Sequence, residues 1–398
     1  MNGCASCGGR LSEVMNFGEV ALAGAFLKDE EFKGERKFPL SLAFCEECSL
    51  VQVPERIGPE ELFEEYFYFS SAIGTLRKHF AAYASEIVER FKPASVLEIG
   101  CNDGVLLKPL ADLGVARVVG VDPAANVIAK IADERVEVVN AFYGPGLVAG
   151  KFDVIVANNV MAHVENLNAV VSEIAFALAP GGAFVMEVNR LDALVSGLQY
   201  DWVYHEHRYY FSALSLGALF KRHGMELFDV KLIGNHAGSA RYYACRKGER
   251  EETLRVGDQV ARENWQGLFT AERMRRFADD AAAHRDRLRE LVLGAVEEGK
   301  TVAGYGACGR TNTMLQFCGL DHRHISFIVD DAPAKRGFYT PGSHIQIVSA
   351  DALELQPDIL IVFAWSFLRE IEPKLASFRG QVVVPLPDIY QLHERAAA

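Results

Sequence analysis

The chain has 398 residues, 50% of them apolar and 24% charged, with a net charge of −12. This composition excludes a disordered or fibrous protein and leaves enough apolar residues for two or three separate cores. The negative balance argues against nucleic acid as a partner, because a phosphate backbone would be repelled.

Two C-x-x-C knuckles come first, Cys4-Ala-Ser-Cys7 and Cys45-Glu-Glu-Cys48. Each turns two sulfurs toward one point, and two knuckles complete a tetrahedron, so Cys4, Cys7, Cys45 and Cys48 are expected to hold one zinc ion. A site closed by four thiolates has no open position, which makes the metal structural. A pair of disulfides is the alternative reading of the same spacing. Cys101, Cys245, Cys308 and Cys318 are scattered without pairing logic, and zinc thiolates need a reducing compartment, so the cytoplasm is the expected location. With no leader pattern and no apolar run of about 18 residues, no membrane association is expected.

Downstream, Ser95-Val-Leu-Glu-Ile-Gly100, Val118-Val-Gly-Val-Asp122 and Phe152-Asp-Val-Ile-Val-Ala157 are apolar runs of strand length, separated by stretches with helical spacing. This alternation predicts a parallel sheet with crossover helices. Residues 251–298 are charge-rich and free of proline, the pattern of one or two connecting helices. From Lys300 the alternation resumes, with Ile325–Asp330, Ile359–Phe363 and Gln381–Pro385 as the next strands. The expected architecture is α/β: a zinc-binding module over 1–68, a Rossmann-like domain over 69–250, a helical connector over 251–298 and a second Rossmann-like domain over 299–398.

Leu97-Glu-Ile-Gly-Cys-Asn-Asp-Gly104 closes a strand and opens a helix. Gly100 and Gly104 let the backbone turn sharply and a ligand approach closely, and Asp122, ending the next strand, is placed to accept ribose hydroxyls. The loop lacks G-x-G-x-x-G and carries Asn102 and Asp103, a poor lining for a pyrophosphate but a good one for the ammonium end of S-adenosylmethionine (SAM). The pattern is a class I methyltransferase signature, and Glu98, Gly100, Asn102, Asp103, Gly104, Asp122 and Asn158 are the candidate cofactor contacts.

Tyr204-His-Glu-His207 is the densest group of ionisable side chains, flanked by Tyr200, Trp202, Tyr209, Tyr210 and Phe211. It reads as a general base held by a neighbouring carboxylate and hydroxyl; a metal site on His205 and His207, or solvated histidines at a helix start, are the alternatives. His163 follows the third strand of the sheet, at the carboxyl edge where ligands bind.

Taken in order, the knuckles, Tyr66-Phe-Tyr-Phe-Ser-Ser71, Ile99–Gly104, Asn159–His163, Tyr204–His207, Tyr210-Phe-Ser212, His236-Ala-Gly-Ser239, Tyr305-Gly-Ala307, Val329-Asp-Asp331, Thr340–Ile345 and Ala364-Trp365 give the chain a resemblance. It resembles the sugar C-methyltransferases that act on nucleotide-linked keto-deoxysugars, a family of zinc-binding, SAM-binding and C-terminal domains. The resemblance implies methylation at C-3′ of a 4-keto sugar, with dTDP the expected carrier, in deoxysugar biosynthesis. It implies His207 as the base, oriented by Tyr204 and Glu206, with His163 beside the keto oxygen and Tyr66 or Tyr68 closing the pocket. Ala237 stands where the family usually has a glycine, and Cys308-Gly309-Arg310 where small residues and a lysine are common.

Gly304, Gly306 and Gly309 form a short G-x-G-x-x-G followed by Asp330 and Asp331. Alone this suggests NAD and an oxidoreductase acting on a nucleotide sugar; the resemblance redirects it to the diphosphate and nucleoside of the substrate, with Gly306, Arg310, Asp331, Lys335 and His344 as candidate contacts. The chain is expected to work as a monomer on a small nucleotide-sugar substrate.

Overall fold

The computed structural model describes residues 3–58, 71, 74–234 and 237–392. Tyr66, Tyr68 and His236 lie outside the described residues.

The first unit is a hairpin of β1 (Leu11–Ala21) and β2 (Lys37–Cys45), joined to the two-residue β3 (Val51–Gln52). The knuckles sit at its end. Each closes through a left-handed residue, Gly8 at φ +77° and Ser49 at φ +59°, with Gly8 N–H donating to Cys4 O at 2.8 Å and Ser49 N–H to Cys45 O at 2.9 Å. These turns bring the four sulfurs within 4.8 Å of one another, with Cys4 to Cys48 at 3.5 Å and Cys7 to Cys45 at 3.4 Å. A tetrahedron with Zn–S bonds of about 2.3 Å has edges of about 3.8 Å, whereas a disulfide needs about 2.05 Å. The geometry fits a metal and excludes disulfides between these pairs. Burial pushes the Cys45 thiol up to about 11 and contact with Cys4 pushes Cys48 up, while contact with Cys48 holds Cys4 down to about 5; a cation between the sulfurs would favour their thiolate forms.

The second unit is a seven-stranded sheet. Its parallel part runs through β4 (Ser95–Ile99), β5 (Arg117–Val121), β6 (Val136–Val139), β7 (Phe152–Asn158) and β8 (Leu178–Asn189). A two-residue strand of the same chain, β9 (Tyr209–Tyr210), leaves this domain, and β10 (Met225–Ile233) and β11 (Ser239–Arg246) complete the sheet antiparallel. The order is β10-β11-β8-β7-β4-β5-β6. Val96, Leu97, Val154, Ile155, Val156 and Ala157 are all fully buried, as a strand covered by helices on both faces requires. The chain reverses sheet direction on either side of β4, which opens a ligand crevice at the carboxyl ends of β4 and β7.

The third sheet is built from β12 (Val302–Tyr305), β13 (Ile328–Val329), β14 (Ile347–Val348), β15 (Ile359–Val362), β16 (Gln381–Val384) and an antiparallel edge, β17 (Tyr390–Gln391). Its order is β14-β13-β12-β15-β16-β17. The sheet repeats the bonding of the first one at its loop. Gly100 N–H donates to Val121 O, and Gly306 N–H to Val329 O. Asp122 receives the N–H of Asn102 and of Ala124, both at 2.9 Å; Asp330 receives those of Ala307 at 2.8 Å and Ala332 at 2.9 Å. In both sheets the acid that ends the second strand pins the glycine loop of the first.

Between the units runs α1 (Ala271–Glu297). Its buried residues Met274, Phe277, Ala281, His284, Leu288, Val292 and Ala295 recur every three or four positions and form one face. That face lies in a single apolar cluster with Val14, Met15 and Phe17 of the hairpin and Ile328, Ile359 and Val383 of the C-terminal sheet. His284 also bonds Tyr200 Oη at 3.1 Å and Pro385 O at 2.6 Å. Within the charge-rich stretch read as a connector, this helix is therefore a shared wall, with its charged residues on the outer faces.

The zinc module reaches the central domain through a short ladder, Val51 opposite Tyr210 and Gln52 opposite Tyr209, extended by Val53 N–H donating to Arg208 O at 3.0 Å. Gln52 Oε1 also accepts from Ala5 N–H inside the first knuckle at 3.0 Å. The zinc cage thus sets the position of the peptide that follows His207. Metal analysis of the purified chain should find one zinc per molecule. Cys45→Ser should lose it, lower the unfolding midpoint by on the order of 10 °C and speed amide exchange at 209–210; full stability without zinc would refute this role.

Candidate active site

At the carboxyl end of β4, Glu98 is almost fully buried and receives Asn158 Nδ2–H at 2.9 Å. Its Oε2 and the Oδ1 of Asn158 are buried acceptors with no hydrogen-bond donor among the described residues. Burial pushes the Glu98 carboxyl up to about 8, with the charges of Asp122 and Asp103 acting in the same direction. Gly100, at φ +70°, leaves room that a side chain would fill, since a Cβ there would stand 2.7 Å from Val160 Cγ2. Gly104 is similar, at φ +76° and 3.0 Å from Ile131 Cγ1. Asn102 takes the left-handed conformation at φ +49° that aims its N–H at Asp122. Asp103 receives the N–H of Ser71 at 3.1 Å.

The crevice therefore offers spare acceptors at Glu98 and Asn158 and the carboxylates of Asp103 and Asp122. That suits a ligand with an ammonium group and hydroxyl donors, as SAM has, and disfavours the pyrophosphate of a dinucleotide. Asp122 differs from the simple expectation: each of its oxygens already takes one backbone N–H, so it holds the loop and has only its remaining lone pairs for a ribose.

Around the corner, the chain turns sharply after β7. Asn159 is left-handed at φ +53°, its N–H donates to Glu187 O at 2.7 Å, and His163 N–H donates to Val160 O at 2.9 Å. This places the His163 ring 4.8 Å from that of His207, edge to face at 71°. Burial holds the His163 imidazole down to about 4, so it is neutral at working pH.

Tyr204–His207 is a tight turn closed by His207 N–H donating to Tyr204 O at 3.0 Å. The same turn brings Tyr204 Oη to 2.9 Å from His207 Nε2 and stacks the two rings at 4.2 Å. Trp202 stacks on the imidazole as well, at 5.3 Å and 15°. Burial drives the Tyr204 hydroxyl well above its ordinary range, so it stays protonated. Burial also pushes Glu206 up to about 7. Gly24 of the N-terminal unit makes space for this carboxyl, since a Cβ there would come 3.1 Å from Glu206 Oε1. The turn directs His205 away from His207, toward Pro39 O at 3.0 Å. A metal shared by the two histidines is not supported: among the described residues the grouping able to hold a metal is the four cysteines.

The turn is anchored on all three units. Arg208 N–H donates to Ala162 O at 2.8 Å and its Nη2 to Ile57 O at 2.6 Å. Thr313 Oγ1 donates to Val203 O at 3.1 Å. Asn312 Nδ2, on the helix Gly309–Cys318, donates to Ala23 O.

The candidate contacts of the C-terminal domain are placed unequally. Gly306, at φ +95°, is needed for close packing, because a Cβ would meet Ala364 Cβ at 2.3 Å. Lys335 Nζ donates to Ala307 O at 2.7 Å and lies 3.2 Å from Asp330, beside the glycine loop. Asp331 accepts from Tyr305 Oη at 3.0 Å and pairs with Lys374 at 2.7 Å. His344 pairs with Glu35 at 2.8 Å and stacks on Phe32 at 4.0 Å, joining the N-terminal unit to this domain. Arg310 presents no open guanidinium: it pairs with the buried Asp201 at 2.7 Å and donates to Ser366 Oγ at 3.0 Å. The side chain that the sequence offered as a candidate diphosphate contact is thus turned toward Asp201. Asp201, Arg208 and Trp365 were not among the candidate site residues; the sequence signals for them were the charged residue inside the aromatic run Tyr200-Asp-Trp202 and the Ala364-Trp365 motif.

Three family models match the chain in order: "Putative zinc binding domain" over 4–63, "Methyltransferase domain" over 72–230 and "C-methyltransferase C-terminal domain" over 234–387. The C-methyltransferase NovU of Streptomyces niveus is 35% identical over 94% of this chain and 93% of its own length. The chain belongs to this C-methyltransferase family. A ubiquinone biosynthesis O-methyltransferase of Methylobacterium sp. (strain 4-46) is 31% identical over 38% of the chain and 68% of its own length. Among solved structures, the glycopeptide N-methyltransferase MtfA overlaps 42% of the chain and 87% of its own, at 16% identity and a TM-score of 0.35.

The C-methyltransferase uses SAM as methyl donor and zinc as its structural metal; the crevice at Glu98 and Asn158 is the candidate SAM site. Among the described residues no helix is long and apolar enough to cross a membrane. Since burial raises Glu98 to about 8, it carries its proton at pH 7, and a bound ammonium should drive that proton off. Titrating SAM at pH 7 in phosphate and in Tris should therefore give enthalpies that differ by close to one proton's worth of buffer ionisation. Glu98→Gln should abolish the difference and weaken binding about tenfold; identical enthalpies for the native chain in both buffers would contradict this role.

Proposed function

We propose that the enzyme methylates C-3′ of a nucleotide-linked 4-keto deoxysugar, with dTDP the expected carrier, as a step of deoxysugar biosynthesis. The observation that carries the reading is the His207 imidazole, bonded to Tyr204 Oη and confined by Trp202 and His163 at the mouth of the cofactor crevice. A carbon next to a ketone is a weak acid, so its proton must go to a positioned base while the ketone oxygen takes up the charge.

His207 receives the C-3′ proton and becomes imidazolium. With its Nε2–H donated to Tyr204 Oη, the tyrosine hydroxyl remains a donor, because its own acidity is suppressed by burial. Neutral His163 supplies a second N–H donor toward the enolate oxygen. Glu206, poised near neutrality, orients the turn and balances the imidazolium charge. Bound SAM supplies the electrophilic methyl group. The surrounding aromatic side chains exclude water, which strengthens each of these contacts and protects the enolate from reprotonation. The C-terminal glycine loop, Lys335 and the Asp330 anchor support a place for the nucleoside diphosphate beside this pocket. The oxidoreductase alternative has no observation left in its favour: the same loop geometry recurs in the SAM-binding sheet, and the family is one of methyltransferases.

The test is incubation with [methyl-¹³C]SAM and a panel of dTDP-, UDP- and GDP-linked 4-keto sugars, with NMR of the product. A methyl group bonded to C-3′ of one panel member is expected. His207→Ala should lower its turnover by about 10²–10⁴ while SAM affinity stays within about twofold. A methyl group on oxygen or nitrogen, or an unimpaired His207→Ala enzyme, would overturn the proposal.

A further inference from the structure

The residues leading into the Tyr204 turn carry a buried acid with partners from another domain. Asp201 is fully buried, and its Oδ2 accepts from Arg310 Nε and from Trp365 Nε1, each at 2.9 Å. The Arg310 guanidinium carbon lies 4.6 Å from the ring centre of Trp202 and 4.4 Å from that of Trp365. Trp202 in turn stacks on His207 at 5.3 Å. A continuous line of contacts therefore runs from Asp201 through Arg310 and Trp202 to the imidazole, and Arg310 belongs to the glycine loop and helix of the C-terminal domain.

Two physical points set this arginine apart from a substrate ligand. Its pairing with Asp201 makes the unit neutral, so it offers little attraction to a diphosphate. Drawing the guanidinium out toward a ligand would also strand the Asp201 carboxylate in the interior, at a cost of several kcal/mol. What the arrangement does provide is a planar cation held rigidly against an indole, with an attraction that strengthens when water is excluded.

We propose that Arg310, fixed by Asp201, is a positioning residue that presses Trp202 onto His207, so that the C-terminal domain sets the geometry of the base instead of binding the substrate's diphosphate through this side chain. This rests on His207 being the base. The C-terminal loop then has two separable tasks: its backbone and Lys335 face the substrate, while Arg310 faces inward and braces the proton-abstracting turn. Docking of the two domains and competence of the base become one event.

The experiment is steady-state kinetics and a pH profile for Arg310→Ala, Arg310→Lys and Asp201→Asn, with the nucleotide 4-keto sugar that the native enzyme methylates. Arg310→Ala should lower kcat at least tenfold, leave KM for the sugar within about threefold, and shift the acid limb of the kcat–pH profile. Arg310→Lys keeps the charge but loses the planar face, so it should resemble the alanine variant in kcat. A diphosphate ligand would behave the opposite way: KM up tenfold or more, kcat held, and lysine partly restoring KM. Asp201→Asn discriminates independently. A lower kcat at unchanged KM supports the proposal; a lower KM, from a guanidinium released toward the substrate, overturns it. If circular dichroism shows Arg310→Ala unfolded, the other two variants decide. An active His207→Ala enzyme would remove the reading beneath this inference, whereas an inactive one together with a KM-only effect of Arg310→Ala would refute the inference alone.

Discussion

The rest of the site depends on a ladder only two residues long. Val51 and Gln52 pair with Tyr209 and Tyr210, and this fixes the peptide immediately after His207 to a strand that begins just beyond the second zinc knuckle. A two-residue ladder has little stability of its own. It holds because the zinc cage supplies one end and the turn that follows β7 of the central domain the other, through Arg208 N–H on Ala162 O. The small N-terminal module lacks the size for a strong independent core, and metal bonds replace burial there. The metal therefore acts on chemistry at a distance, by positioning and not by coordination of the substrate.

The Tyr204–His207 turn belongs to no single domain. The zinc module contributes Gly24 beneath Glu206, the central domain the His163 ring, and the C-terminal domain the Thr313 contact to Val203. Such an arrangement holds the side chains of the turn in place before substrate arrives, which supports the proposed stabilisation of a developing enolate. The two sheets that flank the turn solve the same local problem in the same way: Asp122 and Asp330 each spend both carboxylate oxygens on backbone amides. The difference lies in charge. The first crevice keeps the unpartnered acceptors of Glu98 and Asn158, while the second sets Lys335 beside its loop.

Features with local causes were legible in the sequence. The strand Ser95–Ile99 shows as a largely apolar run, interrupted by Glu98, because both faces of a parallel strand are buried, and the knuckles show because four thiolates need a fixed spacing. The Tyr204–His207 cluster stood out for its density alone. What the sequence did not reveal was long-range pairing. Asp201 and Arg310 are 109 positions apart, and nothing in either neighbourhood says that the guanidinium turns inward rather than toward a diphosphate. The helix Ala271–Glu297 read as a connector for a similar reason: its charges dominate the composition, and the one buried face becomes meaningful only when two other units pack on it. Asp122 was placed correctly at the strand end, but that its oxygens would be occupied by backbone amides depends on a turn that no residue pattern specifies.

The proposed proton abstraction from carbon by His207 can be watched without methyl transfer. Mixing the enzyme with the proposed nucleotide 4-keto sugar in deuterated water, without SAM, and following C-3′ by NMR isolates that step. Deuterium should appear at C-3′ with the native enzyme and fail to appear above the uncatalysed rate with His207→Ala. Equal exchange by both proteins would contradict the role of His207 as the base.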